Sequence, residues 1–147
     1  MTADNNEPAS TGKNNTKESV MSYIDGFVLA IPKANRDAFI KHATTADAIF
    51  LEHGAIRVLE CWQDDVPKGK TTDFYGAVKA KEDEAVCFAF VEWPDKDTRN
   101  SAMADLEKVM QTDPRMDPEK NPMPFDGARL IYGGFETVVN LESDHAK

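Results

Sequence analysis

Five side chains stand out for the chemistry they could do: His53, Glu60, Trp62, Arg129 and Tyr132. Glu60 and Trp62 are two positions apart in the apolar run IRVLECWQ, and in an extended strand they project to the same side. A carboxylate beside an aromatic surface loses hydration, which raises its pKa and suits it to proton transfer. The plainer reading pairs Glu60 with Arg57 and makes Trp62 ordinary core. His53 stands directly before Gly54, at the end of a helical stretch where the negative dipole end favours an imidazolium. It reads either as a helix-capping histidine or as a proton carrier at the mouth of a pocket. Arg129 and Tyr132 are donors able to steady a developing anion. Tyr132 with Trp62, Phe88 and Phe90 could line an aromatic cavity, although strand aromatics are more often plain core.

Other constellations are weaker. His42 and His53 share one helix but lie roughly 16 Å apart along its axis, too far for one metal. Asp64 and Asp65 are adjacent loop acids with no third ligand in reach by sequence, so solvation is the better account. Asp25, Glu60, Glu92 and Glu136 fall inside strand runs; rim positions or ion pairs with Arg57 and Arg129 explain such acids without catalysis, and Asp25-Gly26 reads as a bulge. Lys68-Gly69-Lys70 lacks the spacing of a phosphate loop, and no serine elbow, HExxH or dinucleotide glycine motif occurs. No cofactor and no metal is expected.

The chain that must position these residues has 147 residues, 41% hydrophobic and 29% charged, with a formal charge of -9. That length suits one compact domain. The acidity argues against nucleic acid as a partner. No apolar run is long enough to span a bilayer and no secretory signal pattern opens the chain, so no membrane association and a cytoplasmic location are expected. Cys61 and Cys87 sit in strand-like runs without CxxC spacing and read as buried thiols in a reducing compartment.

Residues 1–20 carry almost nothing large and apolar and are expected to form a disordered tail, with a second short tail over 142–147 around a domain at 21–141. Met21 could serve as an alternative start. YIDGFVLAI (23–31) predicts strand one, stopped by Pro32. Asn35 is the expected N-cap of a helix to about His53 with Gly54 as its stop, and Phe39, Ala43, Ala46 and Phe50 form its apolar stripe. Strand two is expected over 56–63, and 71–84 as irregular chain or a short helix. AVCFAFVEW (85–93) predicts strand three. A helix then opens at Pro94-Asp95 with a stripe of Met103, Leu106, Val109 and Met110, and ends at Asp113-Pro114. The proline-rich loop to Gly127 is a candidate lid or partner surface. Residues 128–141 predict strand four, with Gly133-Gly134 as a bulge.

This order, β-α-β twice, predicts an α+β ferredoxin-like fold: an antiparallel sheet with two helices on one face. Strands one and three are apolar on both sides, so something apolar must cover the second face. A second copy is the economical answer, giving a homodimer whose two sheets close into a dimeric α/β barrel.

The segments YIDGFVLAIP, EHGAIRVLECWQDDVPKGK, DPRM and MPFDGARLIYGGF resemble the YbaA-like family of bacterial proteins, collinearly over about residues 21–141. The resemblance implies a dimeric α/β barrel and no established activity. The chain departs from the family pattern at Ala128, where lysine is common, and at Ala89, where serine is common. Two functions are weighed. One is a homodimer that binds a small molecule between sheet and helices. The other is a cofactor-independent monooxygenase or isomerase acting on a small aromatic or enolisable substrate, in which Glu60 or His53 takes a proton and Arg129 and Tyr132 stabilise the anion.

Overall fold

The structure, a computed structural model, describes residues 21–144. The tail expected over 1–20 and the last residues of the expected C-terminal tail lie outside them. Four strands, β1 (Tyr23–Pro32), β2 (Arg57–Trp62), β3 (Glu84–Trp93) and β4 (Ile131–Glu136), form one antiparallel sheet in the order β2-β3-β1-β4. Helices α1 (Arg36–Glu52) and α3 (Lys96–Thr112) follow β1 and β3, with a short α2 (Phe74–Ala77) between β2 and β3. This is the expected ferredoxin-like α+β fold, with the sheet open at both edges in the single chain.

Alternation sorts the side chains. Leu29, Ile31, Cys87, Ala89, Val91 and Trp93 face the long helices and are almost fully buried. Leu59, Phe88, Ile131 and Phe135 point to the other face and remain exposed. That second face is not bare along its whole length, because Tyr75, Val78 and Ala80, in and just after α2, pack on Val28, Ala30 and Val86. The ambiguous stretch after β2 therefore covers one end of the face that sequence reasoning assigned wholly to a partner.

The structure corrects several local expectations. Neither Asp25-Gly26 nor Gly133-Gly134 is a bulge, since pairing runs unbroken through Gly26↔Phe90 and Gly26↔Gly133. Gly134 is small for a packing reason: a Cβ there would stand 2.5 Å from the Tyr23 hydroxyl and 3.0 Å from Arg99 Nη2. β4 is shorter than expected at both ends. Residues Gly127–Arg129 form a 3-10 turn capped by the Asp126 side chain. Beyond Glu136, which pairs with Tyr23 at the start of β1, the neighbouring strand has run out, so Val138, Val139 and Leu141 stay exposed.

Asn35 stands at the N-cap position of α1 as expected, but its side chain makes no capping hydrogen bond. The chain enters through a 3-10 turn at Lys33–Asn35, and the Asn35 side-chain amide donates to Pro124 O instead. Gly54 ends the helix as expected, in the left-handed region at φ 107° that other residues rarely adopt. At α3 the Asp95 carboxylate accepts the Thr98 N–H at 2.7 Å, a regular N-cap. Of α3 only Ala102 is buried, and Met110 is exposed. Its apolar stripe therefore overhangs the sheet without packing onto it fully, and a cavity results.

Candidate functional site: a cavity with a carboxyl pair

The cavity, of about 450 Å³, lies between the sheet, α1, α3 and the long loop after α3. Its floor follows from the strand register. Glu60 on β2 pairs with Ala89 on β3, which pairs with Phe27 on β1, which pairs with Tyr132 on β4. These four residues form one row across the helix-facing side. Ala89 at the centre is the small member, so the floor dips where a larger residue would meet the helices. Phe39, Ala43, Ala46 and Phe50 of α1 and Met103 and Leu106 of α3 supply the walls. The volume and apolar lining are those of ordinary small-molecule sites.

The loop after α3 closes one end. Arg115 makes a bidentate pair with Glu52, at 2.7 and 2.9 Å, and also binds Asp113. Asn121 donates to Arg115 O and meets His42 Nδ1 at 3.1 Å. Phe125 packs edge-on against Phe39 and His42. The loop is thus fastened to α1 on the side where Phe125 enters the cavity wall.

Besides His42 of α1 and Glu107 of α3, two polar groups break the apolar lining. Asp25, only 2% exposed, accepts from Arg99 Nε and Nη2 at 3.1 and 2.9 Å and from the Trp93 indole at 2.8 Å. Its charge is satisfied internally, as burial demands. The second group is the carboxyl pair of the half-buried Asp47 and the exposed Glu60, neighbours in the cavity wall. Neither makes an ion pair among the described residues. Burial pushes the Asp47 pKa up to about 9, with the neighbouring Glu60 adding to the rise. That direction favours a proton on Asp47 beside Glu60. The Cys87 thiol also points at Glu60, 3.6 Å away, and burial raises its pKa as well.

The five residues singled out from sequence are dispersed. Glu60 and Tyr132 line the cavity, at opposite ends of the row and roughly 14 Å apart by strand spacing. Trp62 lines an adjoining groove between α1 and β2, which Asp47 and Glu60 share. There its ring packs on Phe39 and lies under the Arg36 guanidinium. His53 is outside both: its Nδ1 is 2.9 Å from Ile49 O, and since a carbonyl only accepts, Nδ1 carries the proton of a local helix-end cap. Arg129 is also outside, held by both Glu84 oxygens, by Asp126 and by Lys79 O. Arg57 cannot pair with Glu60, because an odd spacing puts it on the opposite face, where it binds Glu92 at 2.7 Å.

Sequence reasoning missed Asp47, Arg99 and the role of Asp25. Asp47 had a visible signal: with Phe39 and Ala43 it falls at i, i+4 and i+8, on the helix stripe itself. Arg99 had none, since its partner is 74 residues away. Among the described residues no group of three or more His, Cys, Asp or Glu could hold a metal ion. No helix there is long and apolar enough to cross a membrane.

Comparison with known families matches residues 22–127 to DUF1428, a family of proteins of unknown function. The chain belongs to the DUF1428 family. It is 48% identical over 120 residues to the uncharacterized protein YbaA of Escherichia coli strain K12, covering 82% of this chain and 99% of YbaA. The YbaA of Shigella flexneri matches to the same extent. Among solved structures, a dimeric ferredoxin-like protein from an uncultured marine organism superposes with a TM-score of 0.50 at 11% identity, over 82% of this chain and 99% of the other. That likeness supports the fold. The DUF1428 match ends at Gly127, so it takes in α1, β2 and the carboxyl pair.

Proposed function

We propose that the chain is a homodimer that binds a small, mainly apolar molecule in the cavity between sheet and helices. The observation that carries this reading is the cavity itself, about 450 Å³ and lined mainly by apolar and aromatic side chains of the sheet and both long helices, with the half-buried Asp47 and the exposed Glu60 as polar groups in its wall. The dimer is supported by the exposed Leu59, Phe88, Ile131 and Phe135 on one sheet face and by the dimeric state of the marine protein of like fold. A cytoplasmic location fits the thiols of Cys61 and Cys87, which are free.

Native mass spectrometry of protein purified under gentle conditions tests the reading. We expect a ligand mass on each protomer that disappears in Ala89→Phe, which fills the floor of the cavity. A ligand-free spectrum, together with no thermal shift from a panel of small aromatic acids, alcohols and amines, would refute it.

A second reading, supported by the proton that Asp47 holds beside Glu60, is acid–base catalysis on an enolisable substrate. Glu60 would remove a carbon-bound proton and Asp47 would return one, an isomerisation without cofactor. Exchange of the ligand's carbon-bound protons with deuterated water, lost in Glu60→Gln, is its expected signature. Retention of those protons would leave binding alone.

A further inference from the structure

We infer that the cavity selects an organic cation, an ammonium group on an aromatic or branched apolar body, with the ammonium between Glu60 and Asp47 and the body against Phe39, Phe50 and Met103. This inference rests on the reading that the cavity binds a small molecule. It adds the sign of the ligand's charge.

The ionisable groups facing the cavity decide that sign. From α1 come Asp47 and His42, from β2 Glu60, from β3 the Cys87 thiol against Glu60, and from α3 Glu107 and Arg99, the latter bound to Asp25 of β1. Once Arg99 and Asp25 neutralise each other, the acids Asp47, Glu60 and Glu107 face a single imidazole. Two arginines, Arg36 and Arg57, line the adjoining groove that Asp47 and Glu60 share, but each is engaged there, Arg57 with Glu92 and Arg36 over the Trp62 ring. An anion entering the cavity would be repelled by the Glu60 and Glu107 carboxylates, whereas an ammonium would be attracted by them and could displace the Asp47 proton. Aromatic faces at Phe39, Phe50 and Phe125 favour a cation further. The whole chain, at -9, attracts cations over distance as well.

Proton linkage follows. An ammonium favours the form of the pair that has lost its proton, so binding should strengthen as pH rises toward the Asp47 pKa of about 9.

The test compares three probes with one body, 2-(2-naphthyl)ethylamine, 2-(2-naphthyl)ethanol and 2-naphthylacetate, by calorimetric titration of the full chain. The amine should bind at least about tenfold more tightly than the carboxylate, a difference of about 1.4 kcal/mol, with the alcohol between. In Glu60→Gln the preference should collapse to within about threefold while the alcohol still binds, since the cavity body is unchanged. In the wild-type chain, which needs no variant to fold, amine affinity should be several-fold higher at about pH 8 than at about pH 6. Equal or tighter binding of the alcohol or carboxylate by the wild type, or an amine affinity flat or falling with pH, would overturn the cation assignment and leave the cavity reading intact. Failure of all three probes to bind would count against both.

Discussion

Asp47 is held in two ways at once: its position on the apolar stripe of α1 half-buries it, and the neighbouring Glu60 disfavours a second negative charge beside its own. Its folded pKa of about 9 lies above the value near 3.8 expected in the unfolded chain. The folded state therefore binds more protons between those values, and stability falls as pH rises through that window. Asp47→Asn keeps a donor for Glu60 and removes the titration. It should raise Tm, with little gain near pH 4 and a growing gain toward pH 9, on the order of 1 kcal/mol because water reaches the open cavity. Thermal melts across pH check this, and a gain independent of pH would contradict it. Asp25 is the opposite kind of acid, with every contact internal. Asp25→Ala leaves the Arg99 guanidinium and the Trp93 indole without their acceptor and should cost about 3–5 kcal/mol in urea unfolding.

Among the elements, the segment joining α2 to β3 and the turn before β4 are clamped by one ion pair. Glu84, 5% exposed, takes both ends of the Arg129 guanidinium at 2.6 and 2.8 Å and the Lys81 N–H at 2.7 Å. The guanidinium holds its carboxyl down to about 2. A lowered folded pKa stabilises above the unfolded value near 4.5, and that stability is lost as pH falls from about 4.5 through about 2. Glu84→Gln should therefore melt well below wild type at pH 7, with the two curves converging near pH 2. A difference that persists undiminished in acid would mean that packing, and not the charge, holds the clamp. The same clamp explains why Arg129 is absent from the cavity: it is spent on fastening the entry to β4.

For the whole molecule, the open sheet face sets the expectation. Phe88 is 48% exposed and Phe135 60%, side by side with Ile24 and Phe90 around a shallow depression. Contiguous apolar surface of this kind marks a protein contact. Light scattering should give about twice the 16.3 kDa chain mass. Phe88→Asp should shift it to the monomer, because the introduced charge would be desolvated in the contact. A wild-type chain of monomer mass at micromolar concentration would refute the dimer. The face is also where α2 docks, so Phe74, edge-on to Phe88, stands at the rim of that contact. Phe74→Ala should weaken dimerisation less than the charged variant does.

The sequence alone determined the element order, the two strand periodicities, the stops at Pro32 and Gly54, and the shared face of Glu60 and Trp62, because each depends on local geometry: strand alternation, proline's missing donor, glycine's left-handed backbone. It also determined that a second face needed covering. Tertiary structure alone decided which carboxyl Glu60 meets, since α1 brings Asp47 to it, and that Arg129 and His53 are engaged elsewhere. It alone decided where β4 ends, because a strand lasts only as long as its neighbour. It left α3 standing off the sheet above Ala89, and so opened the cavity. A one-dimensional pattern fixes which side of an element a residue occupies, but ion pairs and cavities depend on distances between segments remote in the chain, and those are set only when the whole sheet and both helices have packed.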